Sequence, residues 1–413
     1  MPPRSDKRSP CARPAVVLGA GVVGMSVAIE LARAGVAVTV LERGRVGGGA
    51  SRGNAGLLVP SHCLPLARPA ALRDGVAAVL GRDAPLRLRP WQGREELSWL
   101  ARLAAACRPG AWRPIAPRLQ ELADESIGWY AQLAAEGAPD FDLHRSGWLA
   151  AFATSRAFRR GLADARWKER LGVRCEIIHP EDLPSRAPGL RGHFVGAIFH
   201  PDDWALSPDR LMNRLELTAR GLGVDVRTEA EVTKIEWRGK RAAAVCGPFG
   251  GLPLDQLVLS AGWETERWLR ILGNKGRIWP GRGYSITVQG GPLEVPLNIV
   301  DRHLVISSPG NRVRATSGLD FGLASLDSDR ERIEKLRSAA KSLLPHLNWD
   351  SPLEEWAGSR PMTANGLPAV GRVKGWENVL VASGHGMLGM SLAPASARIV
   401  RRLVTGGRTG PRP

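Results

Sequence analysis

The pattern of apolar and polar positions is clearest in residues 15–43. Ala15–Leu18 is a continuous apolar run, which is typical of a buried strand. Apolar residues then recur at helical spacing until Gly35, and Val36–Leu41 forms a second buried-strand run. This pattern predicts a strand–helix–strand unit, the first part of an α/β fold.

Elsewhere the apolar positions alternate between helical and strand-like periods, and the 413 residues are enough for two domains. No repeat or low-complexity tract interrupts them. Predicted helical stripes are Leu97, Leu100 and Leu103, and Leu119, Leu122 and Ile127, with further helices from residue 209 and over about 392–404. Predicted strands lie within 141–204, 223–236, 257–262 and 281–288.

Three glycines connect the first predicted strand to its helix. Gly19, Gly21 and Gly24 form the G-x-G-x-x-G pattern, which permits a tight turn, close backbone approach to a pyrophosphate, and close packing of helix on strand. Glu42 ends the second strand, where it suits a ribose 2′-OH and would repel a 2′-phosphate. A glycine-rich packing turn alone would leave Glu42 unexplained. The unit therefore predicts dinucleotide binding and disfavours NADP.

The next segment, GGGASRGNAGLLVP at residues 47–60, bears on which dinucleotide is bound. In an NAD-dependent dehydrogenase the second strand normally leads into another βα unit. Here small residues such as Ala55 and Gly56 suit close approach of the backbone to a flat ring, and Ser51 can donate to a phosphate. The segment favours FAD. An NAD-dependent dehydrogenase stays the alternative and would be colourless.

Together, the Gly19–Glu42 unit and ASRGNAGLL at residues 50–58 resemble the D-amino acid oxidase-type flavoproteins, which include glycine oxidase, sarcosine oxidase and D-amino acid dehydrogenase. Further matches follow in order along nearly the whole chain. The resemblance implies a Rossmann-like FAD-binding domain of glutathione-reductase type, plus a substrate domain with an antiparallel or mixed sheet and helices. Both domains are then discontinuous. The expected division is 14–66, 205–265 and 352–406 for FAD, 67–204 and 266–351 for substrate, and disordered ends at 1–13 and 407–413.

The same resemblance implies which residues hold the cofactor. SGHGMLGMSLAP at residues 383–394 resembles the glycine-rich turn that lies against the flavin. The helix after it would point N–H groups at the flavin N1–C2=O edge, where negative charge builds up on reduction. His385 stays open between an active-site group and a loop histidine. The residues expected to contact FAD are Gly19, Gly21, Val22, Val23, Gly24, Glu42, Arg43, Ala50, Ser51, Asn54, Ala55, Gly56, Leu57, Val232, Ala261, Gly262, Gly384, His385, Gly386, Met387, Leu388 and Gly389.

AGSRPMTANG at residues 357–366 resembles the G-x-R-P segment of the family, whose arginine binds the substrate carboxylate. That arginine corresponds to Arg360, whose planar guanidinium can make two parallel charge-assisted hydrogen bonds. The alternative is a structural arginine beside a proline turn. Sarcosine oxidase-like members attach flavin covalently through a cysteine near this region. The segment here has no cysteine, so we expect FAD to be held non-covalently.

IWPGRGYSIT at residues 278–287 resembles the D-amino acid dehydrogenase branch, in which a lysine stands at the position of Arg282. Taken alone, Tyr284 fits an ordinary strand residue. The resemblance implies a strand that borders the substrate side of the flavin, so we expect Tyr284 to face the substrate beside Arg360. GNAGLLVPSH, which places His62 near the flavin loop, resembles the D-hydroxyproline dehydrogenases.

The resemblance thus implies FAD-dependent oxidative deamination of a D-amino acid, or of a cyclic imino acid such as D-hydroxyproline. Hydride would leave the substrate Cα for flavin N5, giving an imino acid. The candidate catalytic residues are Arg360, Tyr284, His385 and His62. The dehydrogenase branch implies a quinone or another carrier as electron acceptor. The alternatives are a glycine- or sarcosine-type oxidase that uses O₂, and a non-catalytic FAD-fold assembly or binding protein.

The charged residues point to no single partner. The chain carries 57 Lys and Arg against 40 Asp and Glu, a formal net charge of +17. This balance fits a biased solvated surface, steering of anionic substrates, or loose attachment to an acidic membrane surface. No nucleic-acid motif is recognisable, so nucleic-acid binding is not expected. Asp202 and Asp203 are adjacent acids, but Pro201 and Trp204 around them predict a loop rather than paired-carboxylate catalysis.

The cysteines and the N-terminus suggest where the protein works. The five cysteines are odd in number and scattered without metal-type spacing, which disfavours a disulfide framework or a metal site and fits a cytoplasmic setting. A place at the inner face of the membrane stays open, as does the oligomeric state. The basic start and the apolar run after it superficially resemble a secretory signal. That run contains three glycines at defined spacing and is too short to span a bilayer.

Overall fold

A computed structural model describes residues 14–69, 86–88, 93–321 and 330–406, so the predicted disordered ends lie outside the described residues. The strands are β1 (Ala15–Leu18), β2 (Val38–Leu41), β3 (Leu57–Leu58), β4 (Leu86–Leu88), β5 (Trp148–Phe152), β6 (Glu176–Ile178), β7 (Gly196–His200), β8 (Trp204–Ala205), β9 (Asp225–Arg227), β10 (Lys234–Arg238), β11 (Arg241–Gly247), β12 (Gly250–Pro253), β13 (Gln256–Leu259), β14 (Ile278–Gln289), β15 (Leu297–Ile299), β16 (Leu304–Ser307), β17 (Arg312–Phe321), β18 (Glu354–Thr363), β19 (Ala369–Arg372) and β20 (Val379–Ser383). The helices are α1 (Val22–Arg33), α2 (Arg94–Ala106), α3 (Ile115–Ala135), α4 (Ser155–Glu169), α5 (Leu183–Arg186), α6 (Pro208–Gly221), α7 (Thr265–Ile271), α8 (Arg330–Leu343) and α9 (Gly389–Thr405).

Six strands form the first sheet, in the order β19–β20–β13–β1–β2–β9. All its pairs are parallel except β19–β20 at the edge. Helices α1, α6 and α9 cover one face, while the β10–β11–β12 sheet and α7 cover the other. Strands covered on both faces need apolar residues at every position, which explains the continuous apolar runs. The predicted strand–helix–strand unit and the α/β fold class are confirmed.

The second sheet has nine strands, in the order β18–β14–β17–β16–β15–β5–β7–β6, with β4 paired to β17. Most pairs are antiparallel, but β15–β5 and β17–β4 are parallel, so the sheet is mixed, as expected. Helix α8 packs on one face through Ile333, Leu336 and Ala340. These residues and the inward side chains of β14 form a second hydrophobic core, separate from that of the first sheet.

Two elements differ from the predicted division of the chain. Strand β18 falls in the range expected for the FAD part, but it lies in the nine-stranded sheet because it pairs with β14 from Glu354 to Thr363. Helix α3 falls in the range expected for the substrate part, yet it packs on the core of the first sheet. There the Trp129 indole N–H donates to Glu30 Oε1 at 2.9 Å, and the Tyr130 hydroxyl donates to the Met390 carbonyl at 2.8 Å.

The helical stripes of residues 97–127 form α2 and α3, although Leu97 is 42% exposed and so lies outside the core. In the described part of the chain, no helix combines the length and apolarity needed to cross a bilayer. The same residues contain no group of three or more His, Cys, Asp and Glu side chains suited to a metal ion. Cys63, Cys107, Cys175 and Cys246 are free thiols, and Cys11 lies outside the described ranges.

Candidate active site

A cavity of about 710 Å³ lies between the two sheets. One side is lined by residues at the carboxyl ends of β1 and β2, including Gly19 and Glu42. The other side is lined by the second sheet, including Val305, Thr316 and Trp356. Open α/β sheets bind ligands outside the carboxyl ends of their strands. The position and the volume therefore fit a binding site for an extended ligand.

The turn between β1 and α1 forms one wall of the cavity. Gly19 has a φ of +99°, and a Cβ there would lie 2.6 Å from the Ser260 carbonyl oxygen, so the turn needs glycine. The first residues of α1, Val22 and Val23, line the cavity. The N–H of Val22 donates to Ser51 Oγ at 3.1 Å. The amino end of a twelve-residue helix, with its N–H groups and positive dipole, is thus placed at the cavity.

Glu42 holds the backbone around this turn. Its Oε2 accepts the N–H of Ala20 at 2.9 Å, and its Oε1 accepts the N–H of Gly44 at 2.9 Å. A carboxylate oxygen can accept a second hydrogen bond, so Glu42 keeps acceptor capacity toward the cavity that it lines. Next to it, Arg43 Nη1 lies 2.6 Å from Glu264 Oε1. Glu42 therefore combines a structural role with the capacity to bind a ligand hydroxyl.

The buried Arg314 ties the loop that precedes β3 to the second sheet. Its Nη1 donates to the carbonyl oxygens of Arg52 at 2.7 Å and Asn54 at 2.8 Å. Its Nε donates to Thr287 Oγ1 at 2.9 Å, and its Nη2 donates to Glu354 Oε2 at 3.3 Å. Burial lowers the pKa of the Arg314 guanidinium below its ordinary value. A single side chain of β17 thus fixes the backbone of the loop that lines the cavity.

Arg360 brings a positive charge from β18 to the cavity lining. Gly283 provides the space, because a Cβ there would lie 2.1 Å from the guanidinium carbon of Arg360. Nη1 of Arg360 donates to the Gly318 carbonyl at 2.7 Å. Burial lowers the pKa of the guanidinium to about 10, while the nearby Asp320 partly opposes that shift. Arg360 therefore stays charged near neutral pH.

Tyr284 is 1% exposed and lies outside the lining of the cavity. Its hydroxyl donates to Asp320 Oδ2 at 3.0 Å, which also accepts from Arg332 Nε at 3.0 Å. The predicted place of Tyr284 beside Arg360 and facing the substrate thus differs from this arrangement, in which the hydroxyl is directed to Asp320. Strand alternation gives the reason: Gly283 lies on the face of β14 that meets Arg360, so the next residue points to the opposite face.

The loop between β20 and α9 contributes His385, which is 3% exposed. Its Nε2 lies 2.8 Å from Ser396 Oγ, and its Nδ1 has no hydrogen-bond partner among the described residues. Burial lowers the pKa of His385 to about 3, so the ring is neutral at pH 7. The N–H of Gly386 donates to the Pro361 carbonyl at 2.7 Å, which fixes the loop beside the strand of Arg360.

His62 and Trp148 form an aromatic part of the wall. His62 ends a short 3₁₀ turn, and its ring meets Trp148 edge to face, with centroids 6.4 Å apart and planes at 70°. Burial, together with the positive charges of Lys168 and Arg68, lowers the pKa of His62 to about 4. Like His385, His62 is therefore neutral at pH 7.

Most residues proposed from the sequence meet at this one cavity. Those in its lining are Gly19, Gly21, Val22, Val23, Glu42, Arg43, Ala50, Ser51, Asn54, Ala55, Leu57, His62, Val232, Ala261, Gly262, Arg360, His385, Gly386, Met387, Leu388 and Gly389. Those outside it are Gly24, Gly56, Gly384 and Tyr284. Gly24 has a packing role instead, because a Cβ there would lie 1.9 Å from the Gly19 carbonyl oxygen.

Sequence reasoning missed the wall residues that come from paired strands. These are Trp148, Val305, Thr316, Trp356 and Ser359. It also missed four residues on the nucleotide side, of which Trp263 and Arg267 lie in a 3₁₀ turn and in α7: Ser260, Trp263, Arg267 and Ser383. Several stand next to recognised segments, but a period-two pattern does not show which strand lies opposite another. One signal for Trp148 is present in the sequence, because the segment GWLAAFAT places a tryptophan at the start of a predicted strand.

The lining fits the FAD expected from the sequence. Ser260 Oγ and His385 Nδ1 belong to lining residues, are buried, and have no hydrogen-bond partner within the described ranges. A bound cofactor can satisfy such atoms. The helix amino end at Val22 suits a pyrophosphate, and the acceptor capacity of Glu42 suits a ribose hydroxyl.

Two curated relatives match nearly the whole chain. D-amino acid dehydrogenase 2 of Pseudomonas aeruginosa is 33% identical over 411 residues, which cover 96% of this chain and 95% of the relative. D-amino acid dehydrogenase of Methylobacterium radiotolerans is 30% identical over 402 residues, with 95% of each chain covered.

A solved structure and a family model agree with these two relatives. The crystal structure of glycine oxidase from Bacillus cereus has a TM-score of 0.75 at 20% identity, with 96% of each chain covered, and shows the shared fold. The family model described as "FAD dependent oxidoreductase" (DAO) matches residues 15–403. The predicted cofactor class is thereby confirmed, and the chain belongs to the FAD-dependent oxidoreductase family.

Proposed function

We propose that the protein oxidises the carbon–nitrogen bond of a D-amino acid, or of a cyclic imino acid such as D-hydroxyproline, in an FAD-dependent reaction. The observation that carries this proposal is the partly buried, charged Arg360 in the cavity lining, fixed next to the loop of residues 385–388. The names of the two curated relatives, both D-amino acid dehydrogenases, also support the proposal.

Arg360 is proposed to bind the substrate carboxylate. Its fork has five N–H donors, of which the Gly318 carbonyl accepts one, so two parallel donors can be offered to a carboxylate. The Gly318 contact also fixes the plane of the guanidinium. A carboxylate held in this way orients the adjacent Cα, and such orientation is a large part of what hydride transfer requires.

The chain would hold FAD along the cavity. The turn at Gly19 and the start of α1 would hold the pyrophosphate with Ser51, Glu42 would hold the ribose, and Val232 would lie at the adenine. The loop of residues 385–389 would lie against the flavin. When bound, FAD supplies the two-electron acceptor for the hydride from Cα. No cysteine is present in the described lining, which supports non-covalent binding.

The electrostatics at Arg360 favour a neutral substrate amine. Arg360 is positively charged, while His62 and His385 are held neutral. A nearby positive charge lowers the pKa of an ammonium group, because it destabilises the protonated form. The neutral amine is the form from which hydride can leave Cα. In this proposal Tyr284 has no contact with substrate and instead orders Asp320 behind Arg360.

Anaerobic mixing of the FAD-loaded protein with a panel of D-amino acids, proline derivatives, glycine and sarcosine tests the proposal. Loss of the oxidised flavin absorbance with D-amino or D-imino acids is expected. Bleaching by glycine or sarcosine alone would favour the amine-oxidase alternative, and no bleaching by any amine would contradict amine oxidation. A non-catalytic FAD-binding protein would also show no bleaching.

The electron acceptor is proposed to be a quinone or another carrier, with peripheral association at the membrane surface. Re-oxidation of the reduced protein by a soluble quinone should be much faster than by air-saturated buffer. Faster re-oxidation by oxygen would reverse that assignment.

Arg360→Met is the matched variant for the carboxylate role of Arg360, because it should stay FAD-loaded but bleach far more slowly. Arg372→Met, at the exposed end of edge strand β19, is its control.

A further inference from the structure

Asp203 is one of two adjacent acids that have opposite surroundings. Asp202 is exposed and forms an ion pair with Arg174. Asp203 is 1% exposed, and its burial raises the pKa of its carboxyl to about 7. A buried carboxyl group is costly unless its oxygens are hydrogen-bonded. Its contacts therefore show what the group does in the fold.

The side chain of Asp203 holds the turn that carries His62. Its Oδ1 accepts the N–H of Ser61 at 3.1 Å, and its Oδ2 accepts the hydroxyl of Ser61. Ser61 is 3% exposed and lies 142 residues before Asp203 in the sequence. Because Ser61 directly precedes His62 in the turn, the carboxyl group fixes where the backbone of His62 enters the cavity wall.

The main chain of Asp203 holds the second aromatic residue of the wall. Its carbonyl oxygen accepts the N–H of Gly147 at 2.9 Å, directly before Trp148 at the start of β5. Trp148 is 5% exposed and meets the ring of His62 edge to face. Asp203 thus contacts the residue on the amino side of both rings.

Resting on the proposed function, in which this wall faces the substrate, we propose that Asp203 is a positioning residue that sets the arrangement of His62 and Trp148. The aromatic pair then selects compact, uncharged side chains or rings. Edge-to-face pairs have a preferred geometry, so a shift of either backbone segment changes the shape of the wall. Asp203 acts through its hydrogen bonds to Ser61 and Gly147, the residues that directly precede the two rings.

Hydrogen exchange of the FAD-loaded protein tests this positioning without any substrate. Asp203→Ala removes both bonds to Ser61. Amide exchange in residues 57–64 should become at least about tenfold faster, since each lost hydrogen bond weakens local protection. Asp203→Asn keeps an acceptor for the Ser61 N–H and should stay close to wild type. Asp202→Ala is the matched control and should leave this segment unchanged.

Substrate selectivity gives the second readout. Asp203→Ala should raise KM for a compact cyclic substrate about tenfold while kcat stays within about twofold, because binding rather than the chemical step is affected. The FAD content should not change. If no amine reduces the flavin, the proposed function fails, yet the exchange result still decides the positioning role. If amines reduce the flavin but exchange is unaltered, only the inference on Asp203 fails.

Equal exchange in Asp203→Ala and Asp202→Ala would overturn the proposal. Should Asp203→Ala not fold, Ser61→Ala decides instead, because it removes the hydroxyl contact but keeps the backbone bond to Oδ1. It should speed exchange in residues 57–64 and leave residues 145–150 unaffected. No change in the first segment, or an equal change in both, would contradict the proposed route.

Discussion

The two ends of the cavity are built by different means. At the nucleotide end, the first strand–helix–strand unit is held by bonds to its own backbone, as in the bonds of Glu42 to the N–H groups of Ala20 and Gly44. At the substrate end, charged and aromatic side chains meet from distant strands, as Arg360 and Trp148 do. The first end depends on local backbone shape and the second on tertiary pairing.

This difference predicts how each end fails. A backbone-built site is damaged where a Cβ cannot fit, as at Gly19, but tolerates changes in side chains that point elsewhere. A site built from side chains loses function when one charge is removed, even though its fold survives. The two ends are also joined, because Arg314 binds the backbone of the nucleotide-side loop from within the second sheet. The comparison can therefore be tested at each end and at the joint.

Arg360→Met should have the largest effect, and only on the substrate end. Loss of two charge-assisted hydrogen bonds to a carboxylate corresponds to about 3–4 kcal/mol, or roughly a 10²- to 10³-fold lower kcat/KM. Steady-state kinetics and flavin reduction with the best substrate measure this. Arg360→Lys should recover only part of the loss, because an ammonium cannot present the planar fork. Loss of bound FAD in Arg360→Met would show that the two ends are not separable.

Arg314→Met should damage both ends at once. It would leave the carbonyls of Arg52 and Asn54 without the donor that they now share, at a cost of about 2–4 kcal/mol in the free energy of unfolding. We expect a lower midpoint of thermal unfolding and weaker FAD retention on dilution. Arg312→Met, on the same strand and partly exposed, is the control. Normal FAD retention in Arg314→Met would show that the loop holds its shape without the second sheet.

The pH dependence of stability should carry a contribution from Asp203, of the order of 1–3 kcal/mol. Its pKa is raised from 3.8 to about 7, so the folded state binds this proton more tightly than the unfolded chain. Stability from this group is therefore greatest at acid pH and falls as the pH rises from about 4 to about 7. Burial dominates the shift, while Lys168 and the bonds from Ser61 oppose it and Asp202 adds to it.

Chemical denaturation at about pH 5 and about pH 8, for wild type and Asp203→Asn, isolates that contribution. The variant should gain stability relative to wild type at the higher pH, since it carries no charge to bury. A difference between the two proteins that does not change with pH would contradict the assignment.

The two tyrosines should give the smallest effects, one in each core. Tyr284→Phe removes the bond to Asp320, and Tyr130→Phe removes the bond to the Met390 carbonyl. Each should lower the free energy of unfolding by about 1 kcal/mol. Apparent substrate affinity should stay unchanged in Tyr284→Phe, because its hydroxyl lies outside the cavity lining. A large rise in KM would return Tyr284 to the substrate site.

The nucleotide end could be predicted from the sequence because its signals are local. The glycines of the first turn and Glu42 stand at spacings set by one strand–helix–strand unit, and the structure places them as that unit requires. The α/β class followed from the same segment. The division of the chain into two parts is harder to predict from the sequence. The pairing of β18 with β14 joins segments that are far apart in the chain, and no local pattern indicates it.

The substrate end can be predicted from the sequence only in part, because it too depends on the pairing of distant strands. The motif at residues 357–366 singles out Arg360, and Arg360 lines the cavity. The face of the sheet to which Tyr284 points depends on the strand register, and a register shift of one residue would reverse it. His62 and Trp148 are brought together by Asp203, which stands far from both in the sequence. Adjacent acids give no sign of which one is buried.

The space over Gly283, which the Arg360 guanidinium occupies, links two positions that should evolve together. A side chain at 283 would displace the guanidinium from this place, since the Cβ would lie 2.1 Å from the guanidinium carbon. Among related chains, residue 283 should therefore covary with residue 360. A relative with alanine or larger at this position would need to recognise the acid group of its substrate from another strand, which makes one glycine a marker for carboxylate recognition in genome sequences.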